Sequence, residues 1–268
     1  MIAGMPLLST PRSPLSFAQE VRDFIAFLRD PQPAPRLPGR LAPGRTAHSW
    51  QADWFGGLHL GRLFQWCLAL WAINLFVLGP LAVSVAGSTG AQHRFNLENI
   101  PWLAGILWAP IVEELAFRYG LRRPVQALWF TPIVLFAVFM GMQGWTAGVV
   151  VLAVFVAWRA LLMQRDQGVT DVHGWRRTYC LKFGWAFHMS ALVFAGVYLN
   201  NFNLGATHLW LLPALVLPQY LTGLVLGWLR VRRGIGACVV LHAIFNTGPL
   251  LLLVWMVVTM MPEGALTP

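Results

Sequence analysis

Residues 128–158 read LWFTPIVLFAVFMGMQGWTAGVVVLAVFVAW, a stretch without a single charge. At 1.5 Å per residue an unbroken helix over it would be about 46 Å long, whereas a bilayer core is about 30 Å thick. One crossing cannot use that length. Gly141 and Gly144, with the polar Gln143 and Thr146, stand near its middle and supply a turn. Two helical spans, near 128–143 and 147–163, follow.

The rest of the chain agrees. Of 268 residues, 57% are apolar and 11% charged, against about 25% charged in soluble domains. Mean hydropathy is +0.60. Such a chain is neither disordered nor a nucleic-acid binder, and it is a poor candidate for an ordinary soluble enzyme. Further stretches close to the roughly 20 residues that a span needs lie near 63–86, 100–121, 181–199, 208–229 and 235–260. The expected architecture is all-α, a polytopic transmembrane bundle of about seven spans.

Charge placement tests the count. With the N-terminus in the cytoplasm, seven spans put eighteen of the nineteen basic residues on the cytoplasmic side and leave Arg94 alone outside. Merging the two spans of 128–158 would place the five basic residues of 159–182 on the wrong side. The net charge of +9 is therefore read as topology rather than as a partner surface.

Residues 1–61 form a cytoplasmic N-terminal segment, and 62–261 the transmembrane domain. Pro6, Pro11 and Pro14 leave no apolar core for a signal peptide. Phe17, Val21, Phe24, Ile25 and Leu28 recur at helical spacing, with Glu20, Asp23 and Arg29 off the stripe. This predicts an amphipathic helix over 15–29, lying in the interface or docked on the bundle, followed by a Pro/Arg/Gly linker over 31–46. Trp66, Trp102, Trp145 and Trp210 fall near span ends, as in interfacial belts. Cys67, Cys180 and Cys238 make no disulfide or zinc pattern.

Two acids and two histidines lie inside spans: Glu113, Glu114, His188 and His242. Each costs about 2.5–3.5 kcal/mol to insert at the bilayer centre, so a functional role is the default reading. Counted from the cytoplasmic span ends, Glu113, His188 and His242 fall at one depth, about 12 Å down at 1.5 Å per residue. One site reached from the cytoplasmic half is expected. Glu114 and Arg118 are i and i+4, the favourable order for an ion pair. Glu113 is then the free carboxylate. His242 and Asn246, also i and i+4, face one space.

Other chemistries stay open on the residues alone. Cys238 precedes His242 by four and could form a thiol pair with it. Glu113, Glu114, His188 and His242 are all possible zinc ligands, although no HExxH is present. A proton-coupled transporter or a non-catalytic membrane scaffold or immunity protein would also carry buried polar groups.

Glu113-Glu114-Leu-Ala-Phe-Arg118 and His242-Ala-Ile-Phe-Asn246 resemble the EExxxR and HxxxN motifs of the CAAX protease and bacteriocin-processing family of glutamate-type intramembrane proteases. The resemblance covers roughly 100–250. The family's middle motif, FxxxH, departs here, since Gly184 precedes His188 by four. The resemblance implies that Glu113 with His188 polarises a water for attack on a peptide carbonyl. His242 and Asn246 would hold the oxyanion, and Glu114 and Arg118 would orient the site. No cofactor is implied. The implied partners are the bilayer and a peptide or protein substrate, lipid-modified and membrane-embedded ones included, with no nucleic acid. The implied location is a cell membrane, as in the bacterial inner membrane.

Overall fold

The computed structural model describes residues 15–37, 50–55, 59–94, 102–166 and 173–260. The start of the N-terminal segment, the linker beyond 37 apart from 50–55, and the end beyond 260 lie outside the described residues. Apart from one two-residue strand pair, the regular structure is helical.

The uncharged stretch breaks where its glycines stand. Helix α6 (Pro124–Met140) stops at Gly141, whose φ of 74° is a left-handed conformation that favours glycine. Helix α7 (Gly144–Asp166) begins just beyond. Thr146 Oγ1 accepts the Gln143 N–H at 2.9 Å, half of a capping box. The two helices then pack together.

Six more helices carry the remaining apolar stretches: α3 (Leu60–Ile73), α4 (Gly79–Thr89), α5 (Ala109–Phe117), α9 (Phe183–Val197), α10 (Leu212–Arg232) and α11 (Ile235–Met260). Helices thus fall on all seven stretches read as spans. Leu60–Thr89, Gly144–Leu162 and Leu209–Arg232 are long and apolar enough to cross a membrane singly. Pro124–Met140 and Ile235–Pro249 are shorter apolar helices. Phe76, Val83, Leu128, Val151 and Leu152 point outward and exposed, as a lipid-facing surface requires.

Two π-helical turns, Asn74–Leu78 and Ala104–Trp108, each run into a proline near the start of the next helix, Pro80 in α4 and Pro110 in α5. Proline has no N–H and crowds the carbonyl four residues back, so the helix widens there. The second of these turns shapes the site. Between α4 and α5, strand β1 (Gln92–His93) pairs with β2 (Phe202–Asn203), which follows α9.

Helix α1 (Phe17–Arg29) begins at the Ser16/Gln19 capping box. It docks on the bundle, and Phe24 packs edge-on against Trp66 and Trp228. Two readings change here. Glu20 is buried although it lies off the apolar stripe, because Arg62, Arg233 and the Trp66 indole meet it. Trp66 is consequently a core residue rather than part of an interfacial belt, while Trp102, Trp145 and Trp210 are exposed. Asp23 likewise accepts from Trp228 and pairs with Arg232. The stripe records where apolar contact is made, and the basic end of α10 captures the acids beside it.

Candidate active site

The site is built on a sealed ionic floor. Asp53 of α2 (Trp50–Phe55) pairs with Arg230 and, at 2.6 Å, with Arg36. Burial by itself would raise the Asp53 carboxyl. The two guanidinium groups outweigh it and hold the carboxyl well below the usual carboxylate range. Arg230 Nε also donates to the Arg118 carbonyl at 3.1 Å, which joins this layer to the end of α5. Burial and the nearby Arg36 and Arg230 pull Arg122 down to about 10. Helix α2 sits this close because residue 236 is glycine: a Cβ there would lie 1.7 Å from the Trp54 carbonyl oxygen.

Above the floor, Glu114 and Arg118 are both fully buried, with Nη1 3.4 Å from Oε1. The Arg118 guanidinium lies 3.7 Å over the Phe194 ring. Gly223 of α10 leaves room for this stack, since a Cβ there would meet Phe194 at 3.1 Å and Arg118 at 3.3 Å. The same Glu114 oxygen is 2.9 Å from His242 Nδ1. Glu114 is therefore shared between an arginine and a histidine. With Nδ1 engaged, the imidazole's orientation is fixed and Nε2 is its remaining polar atom.

Nε2 faces Glu113, whose Oε2 is 3.9 Å away. The Tyr198 hydroxyl donates to the same Oε2 at 3.1 Å. Glu113 is 13% exposed, whereas His242 is 1% exposed and Glu114 fully buried. Of the buried polar cluster, Glu113 is the member that reaches a cavity. That cavity, about 460 Å³, is lined by Glu113, Tyr198 and Asn246 together with Gly105, Trp108 and Val112. Arg94, Asn200 and Asn201 also line it.

Asn246 has a second employment. In the π-helical turn the Ala109 N–H bonds back to Ala104 O. The same register would pair Gly105 O with residue 110, a proline that has no N–H. Asn246 Nδ2 fills the gap, donating to Gly105 O at 2.9 Å. A primary amide carries two N–H groups, so one can serve the backbone while the other serves the cavity.

The structure brings Glu113, Glu114, Arg118, His242 and Asn246 together. It does not bring His188 to them. Among the described residues His188 makes no hydrogen bond or ion pair, and its ring packs against Phe187 at 5.0 Å. The helix explains this. Phe187, Ala191, Phe194 and Tyr198 follow at spacings of three and four and form the inward face, while His188 is about 100° round from Phe187. Equal counts from span ends gave a common depth, but α9 is staggered relative to α5. The side chain that reaches Glu113 stands ten residues beyond His188, about 15 Å along the axis.

Tyr198 is the residue that sequence reasoning missed. Its signal was present: Phe194 and Tyr198 repeat the FxxxH spacing with tyrosine in place of histidine. A search for histidines passes over it. The helix end nearest Glu113 is filled by Arg118, Arg230 and Asp53, all buried. Cys238 is buried and its thiol lies 3.2 Å from Leu226 O and 3.3 Å from Gly234 O, away from His242. Among the described residues no group of three or more His, Cys, Asp or Glu is placed to hold a metal ion.

A profile of the type II CAAX prenyl endopeptidase Rce1-like family matches residues 96–248, more than half of the chain. The chain belongs to this Rce1-like family. The match takes in α5 with Glu113, Glu114 and Arg118, the Tyr198 face of α9, and α11 through Asn246. It stops short of α1 and of α2 with Asp53, although it includes Arg230. No curated protein and no solved structure matches the chain. Membership of an Rce1-like protease family, with apolar membrane-length helices, makes this a membrane protein of CAAX-protease type.

Proposed function

We propose that the protein is an intramembrane endopeptidase in which Glu113 activates a water molecule against a peptide carbonyl. One observation carries this reading. Glu113 lines the cavity, receives the Tyr198 hydroxyl at 3.1 Å, and lies 3.9 Å from a histidine nitrogen that Glu114 orients. A carboxylate placed between a donor and an imidazole at a cavity wall is suited to general-base work.

In the proposed step the water oxygen adds to the carbonyl carbon as its proton passes to Glu113. His242 Nε2 shares that proton, and Glu114 stabilises the imidazolium through Nδ1. The second Asn246 N–H faces the oxyanion. The carbon–nitrogen bond then breaks and the proton leaves on the amine. Arg118 offsets the Glu114 charge. Tyr198 holds Glu113 in its rotamer, the place that the family pattern gives to a histidine. His188 has no step. The mechanism uses no metal and no covalent intermediate.

The substrate class is a peptide or protein at the bilayer. The protein itself is a multi-pass membrane protein with its arginine-rich end, and so its N-terminus, in the cytoplasm. The test compares new peptide termini in membranes of cells producing wild type or Glu113→Gln at equal level, with and without chelator. Termini are expected with wild type alone, and chelator should not remove them. Identical termini from both proteins, with Glu113→Gln folded, would refute the reading and favour a transporter or scaffold.

A further inference from the structure

We propose that a groove between the start of α9 and the segment that follows α1 binds an anionic phospholipid, with its phosphate at Arg177 and Lys182 and its acyl chains along Leu181 and Trp185. The groove shares no lining residue with the Glu113 cavity, so its occupant stands apart from the protease reading.

Helix α8 (His173–Leu181) and α9 meet at Lys182, and this turn faces Asp30 and Pro31 across a concavity of about 960 Å³. A side chain at residue 184 would stand between the two walls, its Cβ 3.6 Å from Pro31 Cδ, so Gly184 keeps the space clear.

The polar half of the groove suits an anion. Arg177 and Lys182 are exposed, and among the described residues neither side chain has a hydrogen bond or ion pair. The arginines at the end of α10 differ, since Arg230, Arg232 and Arg233 each meet a carboxylate. Lys182 is also the N-cap of α9 and makes no side-chain cap. The first N–H groups of that helix, at Phe183, Gly184 and Trp185, therefore have no intrahelical partner. Two cations supply most of the attraction for a phosphate, and the helix start adds to it. One acid, Asp30, lies opposite and accepts from the Gln32 side-chain amide.

The apolar half selects a lipid over a free phosphate. Leu181 and Trp185 line the same groove and are 78% and 71% exposed. Trp185 and the exposed Leu192, seven residues apart, share one face of α9, so the apolar surface continues from the groove along the helix. A soluble phosphate would use the cations and leave this surface uncovered. A phospholipid matches both halves, headgroup to cations and chains to apolar face. The groove lies at a helix end beside an exposed tryptophan, the level at which headgroups meet the apolar surface of a membrane protein.

Cys180 supplies the test, because its thiol is exposed in this groove while Cys67 and Cys238 are buried. The rate at which a maleimide labels the full chain in neutral detergent is measured against added dioctanoylphosphatidylglycerol, dioctanoylphosphatidylcholine or inorganic phosphate. The phosphatidylglycerol should slow the labelling of Cys180, and the other two should leave it unchanged. In Arg177→Gln/Lys182→Gln the concentration giving half protection should rise by about tenfold or more. In Asp30→Asn, which removes the opposing charge, it should fall about threefold. Arg22→Gln/Arg159→Gln removes two exposed charges outside the groove and should leave it at the wild-type value. Equal protection by phosphatidylcholine would mean an apolar surface without headgroup recognition, and equal protection by inorganic phosphate a soluble-anion site; either would overturn the proposal. So would protection that survives in Arg177→Gln/Lys182→Gln, or that is lost equally in Arg22→Gln/Arg159→Gln.

Discussion

Replacing Tyr198 by Phe separates the two side chains that could serve Glu113. The substitution removes one oxygen and leaves the ring, which packs on Phe194 at 5.1 Å. What is lost is a hydroxyl donor 3.1 Å from the Glu113 carboxylate. Hydrogen bonds to charged groups contribute about 1.5–3 kcal/mol. The bond lies just beyond the usual O–H···O range, so the lower half of that figure applies. With 1.36 kcal/mol per factor of ten, turnover should fall by about 10- to 50-fold. The assay is the rate at which wild-type-specific peptide termini appear in membranes with matched protein level. Tyr198→His, which restores the family's FxxxH spacing, should keep more activity than Tyr198→Phe. His188→Ala should stay within about twofold of wild type, as expected of a residue outside the polar cluster. Full activity in Tyr198→Phe together with loss in His188→Ala would refute the geometry argued above and return Glu113 to His188.

Two further outcomes concern the floor. Asp53→Asn leaves the fully buried Arg230 without its carboxylate, a loss of about 3–5 kcal/mol for a broken buried pair, read as a lower melting temperature in detergent. Because the folded carboxyl lies below its ordinary value, its contribution is complete above about pH 4 and is lost only as pH falls through the lower folded value. Wild type should therefore hold this contribution down to about pH 4 and lose it only in stronger acid, a loss that Asp53→Asn should not show; a variant as stable as wild type near neutral pH would show that Asp53 is dispensable. Gly236→Val forces side-chain atoms into the Trp54 backbone, so α2 must undock, with an expected cost of about 1–3 kcal/mol and faster proteolysis between α2 and α3. Unchanged protease resistance would mean that α2 does not rest on α11.

The sequence by itself settled the membrane class, the helical breaks and the motif residues. Each depends on local composition: an uncharged run too long for one crossing, glycines at its middle, acids spaced i and i+4 from an arginine. The pairing of Glu114 with Arg118 was legible for the same reason, since helical spacing is a one-dimensional rule. What it left undecided was relative placement. Glu114 meets His242 across 128 positions of chain, Glu20 meets Arg233 across 213, and no periodicity within one helix carries that information. The axial stagger of α9 against α5, which puts Tyr198 rather than His188 beside Glu113, is set by interlocking surfaces such as Phe187 against Gly227. Burial was undecided likewise: depth can be counted from a helix end, but only packing determines which end is filled. Tertiary structure closed the arginine-rich end with Asp53 and Arg230, because buried charges there neutralise one another, and it set Glu113 on a cavity wall beside Tyr198 and Asn246.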